Sequence, residues 1–513
     1  MSSSGDVSLR DRDHGAPIDE KEIDLGAHFA AGDSEVLDAA EGIRIRRKID
    51  KYLLSLMCVL YLVQFMDKNT LGYSAILGIR TSAHLTADEF NWLGTVFYLS
   101  YLLFEYPQNV ALQRYPVGKW MSLNIYVWAI ALICHAACKN FASLLIVRLI
   151  LGICEGAITA GFMIVTGMFY TRAEQTVRVG YWFLMNGFGQ IISGFISFGA
   201  LYIHTKGFEP WQWLMVITGA ITLLIATVFF FYFPDSPMNA WFLTPDERVK
   251  AVHRIKENQT GVENKKFKKE QMVEALLDPK TWLFALFAAV VTIPGSLINQ
   301  RSIIVSSFGF NNLQTTLLGC VDGAIQIVTT YIGVQLAARI PNSIAWVGIA
   351  FFVPSILGVF LVNFLPWSDQ VGLLCSVWLT EMTTPGFVLC LAWVSQTTAG
   401  HTKKIVTNGT MLSAYCIGEA LGPFMWQAKY RPRNRVPWII IGICYTACIF
   451  TTLGIRVLLK ARNTRRDLNP VADSYEDVYI KKLNDDGELI EFKVDKEFLD
   501  LTDMQNGDFR YVL

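Results

Sequence analysis

A chain of 513 residues that is 52% apolar and only 17% charged, with 44 basic residues against 44 acidic ones, lacks the groups that keep a globular surface wet. Soluble domains carry about 25% charged residues, so a string of soluble domains is excluded. The zero net charge excludes a basic nucleic-acid binder. Such a composition belongs in a bilayer.

The chain opens on a polar stretch, 1–48. Through residue 43 it holds eleven acidic groups against three basic ones and little apolar periodicity, the composition of a disordered, solvated tail. Apolar runs of about 20 residues, long enough to cross a ~30 Å hydrocarbon core, then follow. Twelve are counted, at 50–75, 90–112, 121–138, 142–168, 179–203, 211–233, 281–303, 314–338, 343–365, 371–396, 405–427 and 437–459. None of the twelve reads as a signal peptide, since the N-terminus opens polar and acidic, so the first span is expected to act as its own insertion signal.

Between the sixth and seventh runs lies a polar insert with Pro234, Pro237 and Pro245, then a charged helical stretch through Arg254 and Lys268. The expected organisation is therefore an acidic tail (1–48), a six-helix bundle (49–233), a linker (234–280), a second six-helix bundle (281–460) and a polar tail (461–513) with a few aromatics able to dock. An all-α membrane fold of two equal bundles is expected of transporters built from repeats. An internal echo at an offset of 229 positions sets Gly180 on Gly409 and Gly189 on Gly418, although glycines coincide easily by chance in spans this rich in them.

Lys and Arg set the orientation. They gather on the side of the N-terminus, from Arg44–Lys51 through Arg114, Lys119 and the linker to Lys403, Lys404 and Arg462–Arg466, which puts both termini in the cytoplasm. Lys429, Arg431, Arg433 and Arg435 break the rule from the outside. That loop is either merely solvated or an electrostatic funnel for anions.

Charges within the spans carry the functional signal. An ionisable group near the bilayer centre costs about 2.5–3.5 kcal/mol, so it normally faces a partner or a wet cavity. The candidates are Asp67 and Lys68 in the first span, Glu105 in the second, Arg148 and Glu155 in the fourth, and Arg301, Asp322, Glu381 and Glu419 in the second half. Arg148 and Glu155 are two helical turns apart and point the same way, about 10 Å from each other, which suits a line of charges along a cavity better than an ion pair. The competing reading is that some are interhelical pins or snorkelling end residues. Ten cysteines fall in or beside the spans without zinc spacing, and the seven histidines are scattered. No metal, cofactor or catalytic constellation is expected, so an enzyme is not.

Several stretches resemble a known family. Gln64-Phe65-Met66-Asp67-Lys68-Asn69 is similar to the first-span signature of the anion:cation symporter family within the major facilitator superfamily, and Arg148-Leu149-Ile150-Leu151-Gly152-Ile153-Cys154-Glu155 to its fourth-span signature. Trp211-Gln212-Trp213-Leu214, Phe233-Pro234-Asp235-Ser236-Pro237 and Phe242-Leu243-Thr244 resemble its sixth-span exit. Ser307-Phe308-Gly309-Phe310 and Gly422-Pro423 fit its second half, while Asp500-Leu501-Thr502-Asp503 and Asp508-Phe509-Arg510-Tyr511-Val512-Leu513 resemble the tail of the fungal allantoate-permease branch. Two departures stand out. The loop motif between the second and third spans reads Asn109, Gln113, Arg114, Pro116, Gly118 and Lys119, without its gating Asp, and the seventh span reads Gly295-Ser296-Leu297-Ile298-Asn299-Gln300-Arg301 in place of paired glycines and Thr-Asn.

The resemblance implies a symporter in which the proton gradient is the only energy source and a small organic anion is the cargo. Allantoate, ureidosuccinate, nicotinate and pantothenate are all carried by relatives. Lys68, Arg148, Asn186, Asn299 and Arg301 are the expected substrate-binding residues, and Asp67 and Glu155 the proton-coupling acids. Arg114, Gly118 and Lys119 form the expected gating loop. The expected setting is a monomer in the plasma membrane, its partners the solute, the proton and the lipid. Rival readings are a proton antiport exporter, disfavoured by a fifth span without proline from Gly180 to Tyr202, and a nutrient sensor that transports little.

Overall fold

The computed structural model describes residues 39–203, 205, 207–255, 267–310, 312–468, 479–483, 489–493 and 500–513. The acidic stretch 1–38, expected to be disordered, lies outside the described residues. Its continuation is a helix, Ala39–Ile49, with Ile45 and Ile49 buried, and this helix leads through the π-helical turn Asp50–Leu54 into the first span.

Each of the twelve apolar runs lies on helix. The first half has Ser55–Ile76, Ala87–Arg114, Val117–Cys134, Phe141–Phe169, Arg172–Leu201 and Pro210–Tyr232. The second half has a seventh span in two pieces, Pro279–Thr292 and Leu297–Ser307, then Asn312–Arg339 and Ile344–Phe364. The tenth span is also in two pieces, Gln370–Leu379 and Thr384–Thr397, and His401–Leu421 and Arg435–Leu468 complete the set. Among the described residues nine helices are long and apolar enough to cross a membrane, and the start of the seventh span makes a tenth when joined to Lys269–Leu277 across a 65° bend. The second and eleventh spans are more polar: the second carries Glu105 among several Tyr, Asn and Gln residues, and the eleventh carries Lys403, Lys404 and Glu419.

Local signals explain where these helices start and break. Thr86 accepts a bond from Glu89 N while the Glu89 carboxylate takes Thr86 N, a capping box that opens the second span. Asn140 caps the fourth span by accepting from Ser143 N at 2.9 Å. The seventh span passes into 3₁₀ geometry at Ile293–Ser296, where Pro294 removes a donor. The tenth does the same at Thr380–Thr383, just ahead of Pro385.

The echo at 229 positions is present in the packing. A Cβ on Gly189 would lie 2.7 Å from Leu62 O of the first span, and one on Gly418 would lie 2.3 Å from Ala289 O of the seventh. Likewise Gly180 abuts Val334 of the eighth span and Gly409 abuts Asn109 of the second. The fifth span thus touches the first and eighth as the eleventh touches the seventh and second. That is the neighbour pattern an internal repeat leaves.

Helices Ala39–Ile49, Pro245–Ile255 and Lys269–Leu277 lie at one end of the bundles, here called the linker side; the other end is the far side. An antiparallel strand pair, Tyr479–Leu483 with Leu489–Lys493, sets Ile480 opposite Phe492 and is the one departure from the all-helical expectation among the described residues. Residues 500–513 return to the second bundle, burying Phe509 and Tyr511.

Candidate functional site

A cavity of about 220 Å³ lies between the two halves. Its walls follow helical periodicity. Gln64, Asp67, Lys68 and Leu71 present one face of the first span, and Arg148, Leu151, Glu155 and Thr159 one face of the fourth. Asn186 and Gln190 come from the fifth span, and Tyr98 and Tyr101 from the second. The second half supplies Gly295 and Ile298 at the break of the seventh span, Gln326, Glu381, Phe387, and Tyr415 with Glu419 one turn apart on the eleventh. Gly295 leaves room for the Glu419 carboxylate, which a Cβ at that position would displace.

Lys68 is the centre of this site. Its Nζ lies 3.1 Å from Glu155 Oε1 and donates to Tyr415 OH at 3.3 Å, so one side chain touches both halves. The rings of Phe97, Tyr98 and Tyr415 surround the ammonium at 5.7, 5.3 and 5.6 Å, within cation–π range. Gln64 Nε2 donates to the same Glu155 oxygen at 2.9 Å.

Arg148 is 4% exposed and lies on the cavity wall, yet its Nε and Nη2 have no hydrogen-bond partner. Asn186 Oδ1 and Gln64 Oε1, of residues lining the same cavity, are also buried and unpartnered. A buried donor or acceptor left without a partner costs about 1–3 kcal/mol, more for a charged group, so this wall is poised for a polar ligand.

Asp67 and Lys68, adjacent in sequence, part company in space: Asp67 accepts from Thr222 Oγ1 of the sixth span at 2.5 Å. Glu105 is fully buried away from the cavity lining, where Asn109 Nδ2 donates to it at 2.7 Å. Arg301 lines a second, smaller pocket of about 50 Å³ further toward the far side, which shares Asn69, Gln190 and Ile298 with the first. There it pairs with Asp322 at 2.6 Å and with Glu381, and its Nη2 donates to Thr380 Oγ1. Its charge is therefore already answered. Asn299 lies on the helix Leu297–Ser307, and its side chain is outside the described residues.

The loop between the second and third spans is tied to its own half. Gly118 N and Lys119 N donate to Asp235 Oδ1 at 2.9 and 3.2 Å, Lys119 Nζ donates to Phe230 O, and Arg114 is exposed. Contact across the halves at this end comes from residues that spacing alone did not single out. Gln113 Nε2 donates to Thr402 Oγ1 at 3.2 Å, Gln396 Nε2 to Thr176 Oγ1 at 2.6 Å and Ser395 Oγ to Gln175 Oε1 at 3.2 Å. Tyr98, Gln64, Gln190 and Tyr415 were also missed in the cavity. For Gln64 the signal was available, because it shares the i, i+3, i+4 face of Asp67 and Lys68.

Residues 57–423 match the family profile described as Major Facilitator Superfamily. The thiamine pathway transporter of Saccharomyces cerevisiae is 35% identical over 471 residues, covering 91% of this chain and 86% of that protein. The allantoate permease of the same yeast is 32% identical over 489 residues, covering 92% and 87%. Among solved structures, the proton:xylose symporter XylE superposes with a TM-score of 0.66 at 12% identity, covering 79% of this chain and 96% of that one. That last likeness concerns the fold alone, two six-helix bundles as expected.

Proposed function

Because the chain belongs to the major facilitator superfamily, and is thus an integral-membrane secondary transporter of a small solute and not an enzyme, we propose that it takes up a small organic anion with protons by alternating access. The observation that carries this reading is the Arg148 guanidinium, buried on the cavity wall with Nε and Nη2 unpartnered. A carboxylate offers a guanidinium two acceptors in one plane, which a neutral solute does not. Asn186 Oδ1 and Gln64 Oε1 would take hydrogen-bond donors elsewhere on the solute.

The Lys68–Glu155 pair supplies the coupling. With Glu155 ionised, the ammonium is neutralised and has little to offer an anion. A proton on Glu155 releases Lys68, which then faces the solute together with Arg148. Proton and anion together leave a cavity whose charges are balanced, and such a cavity can close away from water, whereas a half-loaded one holds an uncompensated buried charge. Asp67, on the cavity wall and bonded to Thr222, is the second acid of this relay. With one proton per singly charged anion no net charge crosses, so accumulation follows the pH gradient; a second proton, carried on Asp67, would add a net charge worth about 2.3 kcal/mol per 100 mV, enough for more than tenfold accumulation. The linker side faces the cytoplasm with both termini, the membrane is the plasma membrane, and the transporter acts as a monomer. Allantoate, from which one relative takes its name, heads the candidates, with ureidosuccinate, nicotinate and pantothenate after it.

The test is uptake of those labelled acids by a fungal strain lacking its own systems, with and without a protonophore. Uptake of one acid should collapse with the protonophore and fall at least tenfold in Arg148→Ala. Glu155→Gln should lose concentrative uptake but keep exchange. Wild-type rates in both variants overturn the assignment, and accumulation lower than in empty cells would indicate export.

A further inference from the structure

The segment 500–513 is held on the linker side of the second bundle by an unusual concentration of buried charge. Asp503, fully buried, lies 2.9 Å from Lys280 Nζ at the start of the seventh span and 2.8 Å from Lys403 Nζ at the start of the eleventh. Its Oδ2 also accepts from Tyr511 OH at 2.7 Å, and its Oδ1 from Ala399 N at 3.3 Å. Asp278, equally buried, takes Arg462 of the last span at 2.6 Å and Lys403 at 3.4 Å, and Lys403 also reaches Glu274 at 2.8 Å. Three cations thus face three carboxylates, and one carboxylate of the balance comes from the segment 500–513.

The same segment holds the loop that meets the other half. Asp500 Oδ1 accepts from His401 N at 2.6 Å, which places its carboxylate at the N-terminus of the eleventh span, where the helix dipole favours negative charge. Gln271 ties the two together, its Nε2 donating to Asp500 O and its Oε1 accepting from Thr402 N. Thr402 is the residue that receives Gln113 from the first half. At Gly400, φ is +86°, and a Cβ would lie 3.0 Å from Thr502 Cγ2, so the loop is shaped to the segment.

We propose that residues 500–513 form a strap that holds the linker-side gate shut by fixing the 398–403 loop against the first half. Without Asp503, Lys280 and Lys403 are two buried ammonium groups with too few carboxylates, and the ends of the seventh and eleventh spans must part or admit water. Either movement withdraws Thr402 from Gln113 and opens the cavity toward the linker side. The proposal rests on alternating access but not on the identity of the solute, and its test needs no transport.

The test is thiol labelling in a background with Cys134 and Cys375, the exposed native cysteines, replaced by Ser. Reporter cysteines are placed at Thr176 on the linker side and at Tyr73 on the far side. In Asp503→Asn, labelling at position 176 should rise at least tenfold and labelling at position 73 should fall. Adding Lys280→Met to Asp503→Asn rebalances the charges and should return both rates toward the parent. Tyr511→Phe, which removes the hydroxyl's bonds to Asp503 and Arg466 but no charge, should raise labelling at 176 by two- to threefold. Unchanged labelling in folded Asp503→Asn overturns the proposal, as does a rise at both positions together, the sign of mere loosening. Should Asp503→Asn fail to reach the membrane, unchanged labelling in Tyr511→Phe overturns it. Loss of uptake without a labelling change would implicate the solute site and not the strap.

Discussion

Both halves tie down their linker-facing ends with ion pairs, but at different depths. In the first half Arg178 grips Asp50 at 3.1 and 2.7 Å, Lys48 meets Glu247 at 2.6 Å, and Arg254 meets Glu174 at 2.9 Å. The Asp50 and Lys48 side chains keep 27% and 32% of their surface in solvent. In the second half Lys280, Lys403, Asp278 and Asp503 have none. The difference matters because water can answer a charge whose partner is lost only where water reaches. Exposed pairs contribute about 0–1 kcal/mol, whereas removing one member of a buried set costs about 3–5 kcal/mol. The half-exposed members of the first network, Lys48 above all, should tolerate substitution, whereas the second should work as a whole or not at all.

The largest expected effect is therefore Lys403→Met, which leaves Asp278 and Asp503 short of a cation and should cost roughly 3–5 kcal/mol in denaturation of the purified protein. A loss below ~1 kcal/mol would erase the contrast between the halves. Gly418→Ala comes next. Its Cβ would meet Thr292 Oγ1 at 2.1 Å and the Ala289 carbonyl at 2.3 Å, so a destabilisation of about 1–3 kcal/mol is expected. Gly454→Ala, with nothing within 4 Å, serves as the control, with a stability change within ~0.5 kcal/mol. In the first half, Lys48→Met should cost at most ~1 kcal/mol by the same assay.

The smallest expected effect concerns acid. Burial alone would raise the Asp503 carboxyl, yet Lys280 and Lys403 beside it hold it well below the usual carboxylate range. A carboxyl depressed on folding contributes its stability at every pH above the unfolded value, near ~3.9, and loses it only as pH falls through the folded one. Proteolytic resistance of the strap should thus stay flat from pH ~7 to ~5. Release within that window would mean that the two lysines do not flank the carboxylate as described.

The sequence carried the architecture and one wall of the site, and physical reasons separate these from what it did not carry. Span length follows from bilayer thickness, so the apolar runs could be counted directly. The two-turn spacing of Arg148 and Glu155 put both on one helix face, and both line the cavity. Partners were another matter. Glu155 is paired by Lys68 of a different helix, Arg301 by acids from the eighth and tenth spans, and Asp503 by lysines a hundred or more positions earlier in the chain. Each of those encounters depends on how helices are arranged, which periodicity within one helix does not record. The aromatics of the tail announced a capacity to dock but not the charges that hold it.

The cradle around Lys68 has a consequence for how such a protein can change over generations. Two of its rings, Phe97 and Tyr98, belong to one half, and the third, Tyr415, belongs to the other. Grip and posture are therefore written into the same few atoms. A substitution that tightens hold on a new cargo also alters how long the molecule rests with its seam closed, so new diets and new turnover rates must be acquired together.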